Sequence, residues 1–138
     1  MSDRDLDLVG VEETMLLPLC GRYVESIKPD GRIKDLVCER IVDEMGIDYR
    51  AMLDGQHPLT KLAWVARAYN TDLELKRLFD DVRCDRVLSI GCGLDTAYFR
   101  SGINWDQWYD LDLENVISAR SRMIPSSSPW ISSGITNL

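Results

Sequence analysis

The sequence predicts an α/β fold, a helical front followed by a parallel sheet, and three observations carry that prediction. Apolar residues recur at three- and four-residue intervals through most of positions 1–82, and a compact apolar strand stands at 86–90. From there strand-like and helix-like stretches alternate, and each helical stretch offers the crossover that two parallel strands need.

The first helical stretch, VEETMLLPLCGRYVESI at 11–27, spaces Met15, Leu16, Leu19 and Tyr23 at helical intervals, and Pro18 is expected to break or kink it. KDLVCERIVDEM, at 34–45, repeats the pattern with Leu36, Val37, Ile41, Val42 and Met45, and Gly46 marks its stop. LTKLAWVARAYNTDLELKRLFDD, at 59–81, continues it through Leu62, Val65, Ala66, Tyr69, Leu73 and Leu78, with a break expected at Asn70-Thr71-Asp72. Three helices thus precede the strand at 86–90. TAYFRSG then reads as a turn or short helix, DQWYDLD as a second strand, LENVISARSRMI as a helix and PWISSGIT as a third strand.

A chain of 138 residues fits a single domain. Its 45% hydrophobic and 28% charged residues describe a globular polypeptide, and the net charge of -7 argues against nucleic acid as the partner, since no basic stripe stands ready for phosphates. Apolar runs are too short to span a membrane, and the acidic start MSDRDLDLVG lacks the basic-then-apolar pattern of a signal peptide, so a cytoplasmic location is expected. Cys20, Cys38, Cys84 and Cys92 form no C-x-x-C pair and have only His57 to join them, so free buried thiols are expected rather than a metal site.

The chemistry-bearing stretch is RVLSIGCGLDTAYFR, at 86–100, where Gly91-Cys92-Gly93 turns the apolar strand toward the next helix. Glycines at such a turn let a nucleotide-like ligand approach main-chain N–H groups, and a carboxylate about 20 residues on, at the end of the second strand, suits ribose hydroxyls. Asp112 lies 19 residues after Gly93. Thr96 occupies the place of the third glycine of a dinucleotide fingerprint, which disfavours an NAD-dependent oxidoreductase. Asp110 and Asp112 should share one side of the second strand at its carboxyl end, and capping of the following helix is the competing role for Asp112.

VLSIGCGLDTAYFR, followed by WYDLDLENVI and preceded by VEETMLLPLCGRYVES, resembles the N-terminal half of the leucine carboxyl methyltransferase family, including its polyketide-synthesis O-methyltransferase branch. The resemblance implies a Rossmann-like sheet that binds S-adenosylmethionine and transfers its methyl to an oxygen of a small-molecule or protein-carboxylate acceptor. It implies that Gly91 and Gly93 line the cofactor, that Asp112 takes its ribose hydroxyls and that Arg67, in WVARAYN, pairs with its carboxylate. Asp95 and Arg100 also match family positions, Gly21 stands where the carboxyl methyltransferases have lysine, and no catalytic residue is assigned. On this reading, residues 1–138 are one incomplete methyltransferase domain with a helical front at 1–82 and a partial cofactor-binding portion at 83–138. The chain alone is expected to lack turnover and to self-associate through the open sheet edge. The competing reading is a non-catalytic ligand-binding or dimerisation module of the same fold.

Overall fold

The computed structural model describes residues 13–105, 107–124 and 131–135. Helices α1 (Glu13–Ser26), α2 (Leu36–Glu44), α3 (Tyr49–Leu53) and α4 (Pro58–Val82) precede strand β1 (Arg86–Ile90). Helix α5 (Ala97–Ser101), strand β2 (Gln107–Leu113), helix α6 (Glu114–Met123) and strand β3 (Ile131–Ile135) follow. The fold is α/β, as expected. The strands lie in the order β1-β2-β3, and both pairings are parallel, with Val87 opposite Trp108 and Asp110 opposite Ser132.

Pro18 sits inside α1, which continues through it, so of the expected break or kink the break is absent. The helical front departs from expectation in two further places. The helix α4 runs unbroken through Asn70, Thr71 and Asp72, because the cost of such residues inside a helix is below about 1 kcal/mol each and tertiary partners outweigh it. Among the described residues four helices, not three, precede the sheet, since α3 spans a single turn of five residues that leaves too little periodicity to read. Its start is nonetheless encoded: Asp48 accepts the Ala51 N–H at 3.0 Å.

Two apolar clusters attach the helices to the sheet. Leu16 and Leu19 of α1, Cys38, Ile41 and Val42 of α2, and Ala119 and Met123 of α6 pack with Leu94, which follows β1. Leu75 of α4, Ala97 of α5 and Trp108 of β2 pack with Trp105, whose ring meets Trp108 at 5.7 Å between centroids. Strand alternation puts Val87, Ser89, Trp108 and Asp110 on this covered face. Leu88, Ile90 and Leu113 fall on the other, where they are 58%, 73% and 45% exposed, so that face is open among the described residues. Among the described residues no helix is long and apolar enough to cross a membrane. Cys20, Cys38 and Cys92 are buried free thiols, whereas Cys84 is half-buried.

Candidate functional site

The site forms where β1 ends. Gly91 and Gly93 adopt φ of +65° and +47°, left-handed conformations that L side chains rarely adopt, and this is why the turn contains two glycines. A Cβ on Gly91 would meet nothing within 4 Å, so a side chain there would fill the open space beside the turn. That space is a cavity of about 300 Å³ lined by Gly91, Gly93 and Asp95, by Arg22 from α1 and by Trp64 and Arg67 from α4. Four of the five residues expected to bind the cofactor, Arg67, Gly91, Gly93 and Asp95, thus line one cavity, whereas Asp112 does not line it but bonds the Gly93 N–H of the turn.

Asp112 holds the turn directly. One carboxylate oxygen accepts the Gly93 N–H at 2.8 Å and the other accepts the Leu113 N–H at 2.8 Å. Each oxygen retains a second lone pair, so the carboxylate keeps capacity for hydroxyl donors. It is not the cap of α6, whose N-cap residue, Leu113, makes no side-chain capping bond. The glycine turn also differs from expectation, because its N–H groups are already used: those of Gly91 and Cys92 bond the Leu111 carbonyl and that of Gly93 bonds Asp112. A ligand there meets open backbone surface rather than free donors.

Asp110 falls on the same side of β2 as Asp112 by strand alternation but is buried in the core, at 1% exposure. It receives two bonds from Arg120, at 3.0 and 2.9 Å, and one from the Trp108 indole at 3.0 Å. Arg120 also donates to the Gly93 and Asp95 carbonyls, at 3.0 and 2.6 Å, and so clamps α6 to the turn.

Beside the cavity lies a buried ion cluster in which Asp95 and Arg100, named from the sequence, meet Arg22 and Asp35, which the sequence did not point to. One oxygen of Asp35 accepts from Arg22 Nε at 3.2 Å, from Arg100 Nη1 at 3.2 Å and from the Thr96 hydroxyl, while its other oxygen caps α2 through the Cys38 N–H at 3.0 Å. Arg100 continues to Asp72 through two bonds of 2.8 and 2.9 Å and to Asp95 at 2.9 Å. Thr96, fully buried, is therefore a node of the cluster, and this is the physical reason a hydroxyl stands where a dinucleotide turn has glycine. Burial alone would raise the Asp95 carboxyl, but Arg22, Arg100 and the Thr96 N–H outweigh it and hold the pKa below its ordinary value. Asp95 Oδ1 takes the Thr96 and Ala97 N–H groups and Arg100. Its other oxygen and the exposed guanidinium of Arg67 have no partner among the described residues. The cavity therefore presents cations and an anion together, which suits a ligand with a zwitterionic end.

No protein-family profile matches the chain. A curated relative does: the tetracenomycin polyketide synthesis O-methyltransferase TcmP of Streptomyces glaucescens is 29% identical over 120 residues. The matched stretch is 86% of this chain and 43% of that protein, so the match spans less than half of the relative's length.

Proposed function

From this similarity to an O-methyltransferase, we propose that the chain forms the cofactor-binding half of a Rossmann-like S-adenosylmethionine-dependent O-methyltransferase domain, cytoplasmic, acting on a small-molecule or protein-carboxylate oxygen. The observation that carries the reading is the single cavity lined by Arg67, Gly91, Gly93 and Asp95, with Asp112 bracing the turn. The residues fit such a ligand in three respects. Space stands open beside Gly91, the Asp112 carboxylate has lone pairs for ribose hydroxyls, and Arg67 with Asp95 offers one charge of each sign to an amino-acid end.

When bound, the sulfonium supplies an electrophilic methyl group for direct displacement by an oxygen nucleophile. The chain's own contribution is positional. The turn and Asp112 fix the nucleoside end, Arg67 and Asp95 the charged end, and Trp64 walls one side of the cavity against water. Alignment of this kind is worth up to about 7–11 kcal/mol of a barrier. A carboxylate acceptor is already ionised and requires no base.

A second reading, a binding or dimerisation module of the same fold, is favoured by the open face of Leu88, Ile90 and Leu113. Calorimetric titration of the whole chain with S-adenosylmethionine, S-adenosylhomocysteine and NAD tests the first. Binding of the two sulfur nucleosides without NAD is expected, and NAD binding alone overturns it. Transfer of radiolabelled methyl to carboxylate or phenol acceptors separates an enzyme from a module.

A further inference from the structure

Arg22 is a cation in an unusual position: only 5% exposed, yet lining the cavity. Its Nε is spent on Asp35 and its Nη2 on the Leu94 carbonyl at 2.8 Å, while Nη1 has no partner among the described residues. At the neighbouring Gly21 on α1, which does not line this cavity, a Cβ would come within 3.1 Å of the Trp64 ring, so the ring would have to shift by a few tenths of an ångström to admit a side chain. Arg22 itself is held from behind by Asp35, which lies outside the cavity and is 1% exposed. The same Asp35 oxygen holds Arg100, and Arg100 fixes the engaged oxygen of Asp95 so that the other is left to the cavity.

We propose that Asp35 is a positioning residue which sets Arg22 and, through Arg100, Asp95 around the charged amino-acid end of a sulfur nucleoside, making Arg22 a second cation for its carboxylate beside Arg67. The inference rests on the cofactor reading above and deepens it. Neither residue touches the nucleoside end, which belongs to the glycine turn and Asp112. Discrimination between ligands with and without the amino-acid tail therefore depends on the Asp35–Arg22 pair, whereas affinity for the nucleoside does not. A side chain that merely stabilised the fold would change both together.

The test compares S-adenosylhomocysteine with 5′-methylthioadenosine, which keeps the nucleoside and thioether but lacks the tail, by calorimetric titration of the whole chain. Asp35→Asn and Arg22→Gln should each weaken S-adenosylhomocysteine by about tenfold or more, the usual loss for a hydrogen bond to a charged group, and leave 5′-methylthioadenosine within about twofold. Thermal unfolding checks that each variant is folded. Where Asp35→Asn does not fold, Arg22→Gln decides, since Asp35 then keeps Arg100 and Thr96 as partners. Equal weakening of both ligands, or of neither, overturns the inference and leaves the cofactor reading standing. A wild-type chain that binds neither ligand overturns both.

Discussion

Asp112 holds the Gly93 N–H, and on the cofactor reading its remaining lone pairs take the ribose hydroxyls. Removing it should therefore affect the nucleoside end rather than the tail. Asp112→Ala is expected to weaken S-adenosylhomocysteine and 5′-methylthioadenosine alike, by about 1.5–3 kcal/mol, measured by titration. The buried thiols make a separate prediction. Burial pushes Cys20 up to about 11 and Cys92 up to about 12, against partial opposition from Arg22 and Arg120 respectively. A thiol whose pKa is raised by folding contributes stability that is complete below its unfolded value, 9.0, and is lost as pH rises toward the folded one. Each thiol should thus cost about 1.4 kcal/mol per pH unit above that point. Urea midpoints of the wild type should fall between pH 9 and 11 more steeply than those of a Cys20→Ala, Cys92→Ala variant; equal slopes would remove the thiols as the cause.

Among the elements, α4 carries the most instructive difference. Asn70, Thr71 and Asp72 read as a break because their side chains compete for backbone hydrogen bonds, yet Asp72 is occupied by Arg100 and Thr71 lines the cavity. Asp72→Ala should cost about 3 kcal/mol in chemical denaturation, since it takes one carboxylate from a guanidinium that is 2% exposed. An unchanged midpoint would show that Asp35 and Asp95 suffice. This contrast marks the limit of legibility. Strand β1, its glycine turn and Asp112 were readable because an apolar run, two glycines and a carboxylate at a set distance are local signals. Arg67 and Asp95 were reached through family resemblance. Arg22, Asp35 and Arg120 were not reached at all: a buried Arg or Asp has the same local sequence as a solvated one, and only partners up to 72 residues away reveal it. Pro18 leaves α1 unbroken, since the burial of Leu16, Leu19 and Cys20 on the same helix outweighs a single missing N–H.

At the scale of the molecule, helices cover one side of the sheet and leave Leu88, Ile90 and Leu113 on the other, while β1 has β2 as its one strand neighbour among the described residues. Apolar side chains beside an unpaired strand edge favour pairing with another chain. The chain is expected to self-associate, with an average mass that rises with concentration in sedimentation equilibrium. Replacing Leu88 and Ile90 by Lys should abolish this without altering circular dichroism, because neither side chain is buried. A wild type that stays monomeric at all concentrations would refute it.

The ion cluster beside the cavity has a consequence for how the molecule melts. Arg22 and Asp35 come from the helical front, Thr96 and Arg100 from beyond the first strand, and Asp72 from the middle of the long helix between them. A cut between residues 82 and 83 leaves Arg22 with Asp35 in one half and Arg100 with Asp95 in the other but takes Arg100 from both Asp35 and Asp72, so each half loses part of the compensation of its buried ions. Front and sheet must then lose their structure in one cooperative step. Calorimetric and van't Hoff enthalpies should coincide in a single heat-absorption peak, and a polypeptide starting at Arg83 should show none.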